Sequence, residues 1–307
     1  MKPPIIQTRG LTRRFRRTLA VDRLTLEVPQ GSVFAFLGPN GAGKTTTIKM
    51  LVGILPPTGG ESRVFGCPSR RLGKAEFQRI GYVSENQKLP EWMTVDLLMR
   101  YCRPLYPTWD QAFCDTLLRS FNLPRDRKLK HLSRGMKMKA ALVSSLAYRP
   151  ELLVLDEPFS GLDPLVRAEF IEGMLELTQQ ENWTIFLSSH DIDEVERLAD
   201  TVGIVNDGRL VLAEGIESLQ DRFRAVEVVT GGEARLPERR PETWLRPSCG
   251  GHTLRFVHER FEDGASEREI RELIPGVTSV AAEGMSLKEI YLTLARGFAG
   301  NGGAAAA

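Results

Sequence analysis

Long apolar runs are missing from this chain. None approaches the roughly 20 residues that a helix needs to cross a bilayer, and the opening stretch, MKPPIIQTRG, is not apolar enough for a signal peptide. A charge bias is missing too. Lys and Arg total 41 against 39 Asp and Glu, a net charge of +2, so the basic excess of a typical nucleic-acid binder is not there. Cysteine is scarce. Cys67, Cys102, Cys114 and Cys249 make no C-x-x-C pair and no histidine cluster accompanies them. That argues against a zinc site and a disulfide scaffold, and leaves reduced thiols in a cytoplasmic protein. Should the protein serve a membrane process, another chain must supply the part that crosses.

What remains is ordinary in composition: 307 residues, 42% hydrophobic and 26% charged, enough for one large and one smaller domain. Short apolar runs alternate with helical patterns over the first two-thirds, as in an α/β fold with a mostly parallel sheet. Val33 to Leu37, Leu152 to Leu155 and Thr184 to Leu187 are nearly all apolar, the pattern of strands buried on both faces. Residues 88–150 turn mainly helical and read as an inserted helical subdomain. Past residue 222 the pattern changes to a small α+β domain, 222–297. It has strands at Ala225 to Val229 and Thr253 to Val257, and a Pro-, Arg- and Gly-rich loop from Glu233 to Gly251. Two helices there are opened by the capping boxes Ser266/Glu269 and Ser286/Glu289. The tail, 298–307, is low in complexity and reads as disordered.

Gly38, Pro39, Asn40, Gly41, Ala42, Gly43, Lys44 and Thr45 fit G-x-x-x-x-G-K-[ST]. A buried strand leads in and a helix, from Thr46 onward, leads out. Glycines allow the tight turn that brings backbone N–H groups to phosphate oxygens, and the helix N-terminus adds partial positive charge. Lys44 can reach the β- and γ-phosphates, and the Thr45 hydroxyl can ligate Mg²⁺. The second acidic element is Leu152 to Leu155 followed by Asp156 and Glu157. Strand ends line the crevice of a parallel sheet, so Asp156 is expected near Mg²⁺. Glu157, pointing the opposite way, is expected to polarise the attacking water.

Leu132-Ser133-Arg134-Gly135-Met136, about twenty residues before that strand, resembles the signature motif of ABC ATPases. Ser160-Gly161-Leu162-Asp163 resembles their D-loop, His190 their switch histidine, and Phe15, ahead of the first sheet strands, the aromatic that stacks on adenine. Six motifs in order cover residues 5–220. The resemblance implies a phosphate-loop NTPase of the ABC type, residues 1–221, with an accessory domain behind it. It implies ATP and Mg²⁺ as ligands, a separate transmembrane permease, a position on the inner face of the cell membrane, and no nucleic-acid partner. It further implies a head-to-tail dimer, most simply a homodimer. There Ser133 and Gly135 reach the γ-phosphate in trans, His190 contacts it in cis, and Asp163 couples the two sites.

Two positions depart from the family pattern. Glu85, after Gly81-Tyr82-Val83-Ser84, stands where the Q-loop glutamine is usual, and Gln87 follows two residues on. A carboxylate can ligate Mg²⁺ through oxygen, so Glu85 is a candidate metal residue. In the signature, Arg134 replaces a small residue and either adds charge near the γ-phosphate or, the favoured expectation, simply faces solvent, and Met136 replaces glutamine. Tyr106-Pro107-Thr108-Trp109-Asp110 together with this signature resembles exporter ATPases related to bacitracin-type resistance systems. Ser286 to Tyr291 resembles the accessory domain that ends many exporter ATPases. The arginines flanking Phe15 read as a solvated rim. Two rivals remain: a soluble ABC ATPase of DNA repair or translation, and a phosphate-loop kinase. The first usually carries two cassettes, a coiled coil or zinc motifs, none of which is seen. The second needs no signature segment.

Overall fold

The computed structural model describes residues 3–85, 87–180 and 183–301. The chain divides into two compact units, Met1–Ala213 and Glu214–Ala307. The first opens with β1 (Ile6–Phe15), β2 (Thr18–Val28), β3 (Val33–Leu37) and α1 (Lys44–Leu51). Next come β4 (Gly59–Val64), β5 (Cys67–Pro68), α2 (Lys74–Phe77) and β6 (Ile80–Ser84). Three longer helices follow, α3 (Val95–Cys102), α4 (Gln111–Ser120) and α5 (Arg134–Leu146). The chain then returns to the sheet through β7 (Leu152–Asp156), α6 (Pro164–Gln180), β8 (Thr184–Ser189), α7 (Ile192–Leu198), β9 (Thr201–Asn206) and β10 (Arg209–Gly215).

Two sheets result, of order β10-β9-β3-β8-β7-β6 and β2-β1-β4-β5. The first carries the site. Its β3–β8, β3–β9, β6–β7 and β7–β8 pairs are all parallel. Every residue of β3, β7 and β8 is buried, which explains why these strands are mostly apolar: with cover on both faces, no alternation with polar positions is needed. Phe34 stacks on Phe186 across the β3–β8 pair at 5.6 Å, and burying each ring contributes about 1.5–3 kcal/mol. The antiparallel second sheet changes one expectation. Phe15 does not precede the strands but ends β1, paired with Thr18 across a tight hairpin.

The helical insertion between β6 and β7 is held by side-chain caps. Leu97 N donates to Thr94 Oγ1 (3.1 Å), Phe113 N to Asp110 Oδ1 (2.9 Å) and Met136 N to Ser133 Oγ (3.2 Å). Each satisfies a backbone donor that the first helical turn cannot pair. Tyr106 to Asp110, quoted above as an exporter mark, does packing work. Tyr106 stacks on Tyr148 at 3.7 Å, the Thr108 hydroxyl donates to Tyr148 O (2.8 Å), and Asp110 caps α4 and pairs with Arg149 at 3.1 Å. Burial pushes the Cys114 thiol up to about 12, so it stays an uncharged core group.

The second unit contains α8 (Ile216–Arg222), β11 (Arg224–Thr230), β12 (Trp244–Gly250), β13 (Thr253–His258), α9 (Ala265–Leu273), β14 (Val277–Gly284) and α10 (Leu287–Asn301). Its start falls earlier than residue 222 because α8 belongs to it: Arg222 Nη1 donates to Glu259 O (2.7 Å) and Phe261 N to Arg222 O (2.9 Å). The sheet order is β12-β13-β11-β14. β12 lies inside the stretch expected to be loop. Pro247 is accommodated because β12 is an edge strand and the β12–β13 register slips between Leu245 and Ser248, where no ladder N–H is required. The Ser286/Glu289 box forms: Glu289 N donates to Ser286 Oγ (3.3 Å) and Ser286 N to Glu289 Oε2 (2.8 Å). The Ser266/Glu269 box does not. α9 starts at Ala265 behind Gly264, and the Ser266 hydroxyl instead accepts from Glu262 N at 2.9 Å. α10 runs to Asn301, over the start of the stretch expected to be disordered, and residues 302–307 lie outside the described residues.

Candidate nucleotide site

The parallel register brings the chemistry together. Leu37 is paired with Ser189 and Asp156 with Ser188, so the ends of β3, β7 and β8 open at one level. Gly38 to Gly43 turn from β3 into α1, which begins at Lys44 rather than Thr46. Gly43 has φ +97°, and a Cβ on Gly38 would collide with Val205 O; only glycine fits both demands. The first turn of α1 holds no acidic residue and no side-chain cap, so its N–H groups and partial positive charge face the loop. Pro39, Asn40 and Gly41 are exposed, Ala42 is buried, and Thr46 is half-buried.

Lys44 is buried, and its Nζ donates to Gly38 O (2.6 Å) and Pro39 O (3.1 Å) while pairing with Glu157 Oε1 at 3.0 Å. Asp156 Oδ1 accepts from Thr45 Oγ1 (3.0 Å) and from Ser188 Oγ (2.9 Å). Burial pushes the Asp156 carboxyl above its ordinary range, against the opposing pull of these two hydroxyl bonds. A hydroxyl and a carboxylate converging on one point are hard oxygen ligands. Among the described residues no group of three His, Cys, Asp or Glu side chains could hold a metal. The Thr45 hydroxyl and Asp156 carboxylate are the oxygen donors that suit Mg²⁺, which takes its remaining oxygens from phosphate and water.

Glu157 corrects the simple alternation argument. Strand geometry would turn it away from Asp156. The residue lies past the end of β7 with φ +52°, a strained value for a side chain with a Cβ, and this turn returns its carboxylate to the site. Oε1 meets Lys44, and His190 Nδ1 lies 2.7 Å from Oε2, the geometry of an N–H donated to the carboxylate. Glu157 N in turn donates to Ser188 Oγ at 3.0 Å. Ser188 was not among the candidates. Its signal was a hydroxyl in a buried apolar strand, visible only with the register in hand.

Other candidates do different work within the chain. Phe15 is exposed at its hairpin tip with the Arg13 guanidinium 4.5 Å over its ring. Ala20, two residues into β2, backs onto Gly43. Ser133 caps α5. A Cβ on Gly135 would come within 2.6 Å of Val166 Cγ1, so this glycine lets α5 approach α6. Asp163 Oδ1 accepts from Val166 N at 3.0 Å, a helix cap ahead of Pro164 that Asp-Pro in sequence could have signalled. Glu85 N donates to Asp156 O (2.9 Å), but its Oε1 accepts from Arg134 Nη2 (2.7 Å) and Ser160 Oγ (2.8 Å). Arg134 is thus ion-paired rather than simply solvated. Gln87 turns back, its Oε1 3.4 Å from Ser84 N.

A glycine turn and helix N-terminus at a parallel strand end, with a buried Lys44 and Asp156, a half-buried Glu157 and the exposed Thr45 around it, define a phosphate-loop nucleotide hydrolase. The ABC transporter family model matches residues 21–160. The chain is 36% identical over 222 residues to the bacitracin transport ATP-binding protein BcrA of Bacillus licheniformis, covering 72% of each chain. It is 37% identical over 274 residues to the daunorubicin/doxorubicin resistance ATP-binding protein DrrA of Streptomyces peucetius, covering 88% of this chain and 74% of that one. A solved ATP-binding subunit of an ABC transporter superposes with a TM-score of 0.64 at 28% identity, over 71% of this chain and 92% of the other. The chain belongs to the ATP-binding subunits of ABC transporters and is an ATPase. No helix among the described residues is long and apolar enough to cross a membrane.

Proposed function

We propose that this chain is the motor of an exporter: two copies close on ATP, hydrolyse it, and so drive a separate transmembrane permease from the inner face of the cell membrane. The observation that carries the reading is Glu157, held at one oxygen by Lys44 (3.0 Å) and at the other by His190 (2.7 Å). Phosphate oxygens arriving at the loop displace Gly38 O and Pro39 O from Lys44, and the amine then serves the phosphates. That releases Glu157 Oε1 to accept a proton from water at the γ-phosphate, while His190 orients the other oxygen. Mg²⁺, bound through Thr45 and Asp156, would neutralise charge on the phosphates. Ser188 holds Asp156 and Glu157 in register. Phe15 offers its ring to adenine.

Ser133 caps α5 and Gly135 packs against Val166 of α6, and neither is among the hydrogen-bond or ion-pair partners of Lys44, which supports a role for them on nucleotide held by the second copy. Asp163, at the start of α6, is the residue read as coupling the two sites. Export follows the two relatives, one named for bacitracin transport and the other for anthracycline resistance. The test is to solubilise membranes containing the tagged chain in mild detergent and identify what co-purifies, with Glu157→Gln run beside it. A stoichiometric polytopic membrane protein, and an ATP-dependent dimer of the variant by light scattering, are expected. A chain that instead co-purifies with ribosomes or DNA overturns the transporter motor. A variant that stays monomeric at saturating Mg-ATP overturns the homodimer.

A further inference from the structure

Arg134 is the first residue of α5, where a cation faces the positive end of the helix dipole and is disfavoured. Glu85 follows β6, close to Asp156 and Glu157, where a further carboxylate adds repulsion. Each position taken alone is electrostatically awkward. In the structure they meet: Arg134 Nη2 lies 2.7 Å from Glu85 Oε1, and Ser160 Oγ donates to the same oxygen at 2.8 Å. The guanidinium lies against Gly161, which has φ +67° and whose missing Cβ would fall 2.7 Å from Arg134 Cζ. A single carboxylate oxygen therefore joins the end of β6, the loop after β7 and the start of α5.

These three segments carry Glu85, the Asp156–Glu157 pair, and Ser133 with Gly135. We propose that Glu85 and Arg134 are one coupled pair of positioning residues for ATP hydrolysis, setting the Ser133–Gly135 turn against the acidic strand end of its own chain. An amide at position 85 would leave the guanidinium without a counter-charge, and a small residue at 134 would leave the carboxylate without one. The two departures from the family pattern are thus a single device. This rests on the reading that Ser133 and Gly135 serve a nucleotide on the second copy. A rigid Ser133–Gly135 turn would matter for closure and turnover, while nucleotide on the chain's own phosphate loop would be held as before.

The experiment uses the purified full chain, as Glu85→Arg, Arg134→Glu and the double swap, with a neutral cycle of Glu85→Gln, Arg134→Gln and their double. It measures kcat, KM for ATP, affinity for a fluorescent ATP analogue, and Mg²⁺ half-saturation. The two side chains are 30% and 51% exposed, so the core is untouched, and melting curves check this. Each charge-reversed single variant should lower kcat on the order of tenfold, with analogue affinity unchanged. The double swap should regain most of the loss, and the neutral double should be no worse than its worse single, as groups in contact require. Losses that multiply in both cycles overturn the proposal. So does a Mg²⁺ half-saturation that shifts in the Glu85 variants and not in the Arg134 variants, which would put Glu85 on the metal. The cycles read coupling whether or not the chain pairs with itself, so a failure of Glu157→Gln to dimerise overturns the homodimer alone.

Discussion

Two sets of charged side chains lie at the ends of neighbouring strands, and they differ in how much water they meet. Around the phosphate loop, the side chains of Lys44 and Glu157 are 5% and 11% exposed. At the start of α5, Arg134 and Glu85 are 51% and 30% exposed. A buried charge that loses its partner keeps the full cost of desolvation, whereas an exposed pair is screened and contributes about 0–1 kcal/mol. On the proposed function the first set governs whether chemistry occurs and the second governs alignment. Stability and turnover should separate the two.

The largest expected effect is on chemistry. Glu157→Gln keeps the size of the side chain but not its basicity, so turnover should fall roughly 10²- to 10⁴-fold while a fluorescent ATP analogue still binds. Unchanged turnover would remove Glu157 from its role and erase the contrast. Next comes a buried carboxylate behind His190. Glu194 accepts from Ser189 Oγ (2.9 Å) and pairs with Arg167 at 3.1 Å. Burial first, and Asp191 beside it, push its carboxyl up from 4.5 to about 7, against the pull of Ser189, Arg167 and His190. A folded value above the unfolded one means stability from this group is present below the unfolded value and lost as pH rises through about 7. Denaturant titrations of Glu194→Gln should lose a pH dependence of about 3 kcal/mol across that window; an identical slope in both proteins would show that Glu194 titrates normally.

Smaller effects belong to the exposed set. Gly161→Ala meets both a left-handed φ and the Arg134 guanidinium, so it should cost about 1 kcal/mol and reproduce the kinetic loss of Arg134→Gln. A Gly161→Ala protein with full turnover would separate Arg134 from the loop after β7. Smallest of all is the stability change of Arg134→Gln itself, expected below about 1 kcal/mol by denaturant midpoint. A larger value would make the pair a structural element comparable to the buried set.

Much of the fold was readable where one residue type answers one local demand. The buried strands β3, β7 and β8 declared themselves by apolar runs, and the Ser286/Glu289 box by its spacing. Reading failed where a neighbour overrode the local signal. Pro247 suggested loop, yet an edge position with a register slip made it strand. Ser266 suggested a cap, yet α9 begins ahead of it. Asp163 and Gly135, read for their part in a nucleotide site, also cap α6 and let α5 pack on it, and those duties need the partner helix to be seen.

The phosphate loop could be known from sequence alone because its contacts are made by successive residues: glycines that turn the backbone, a helix that starts at once, and a lysine that folds back on the same loop. The rest of the site was a tertiary decision. Lys44, Glu157 and His190 come from three separate strand ends, and Glu157 enters only because its backbone takes φ +52°. Glu85 and Arg134 stand 49 residues apart. No local pattern announces such a pair, since the packing of α5 against the end of β6 is what brings the two charges within reach of each other.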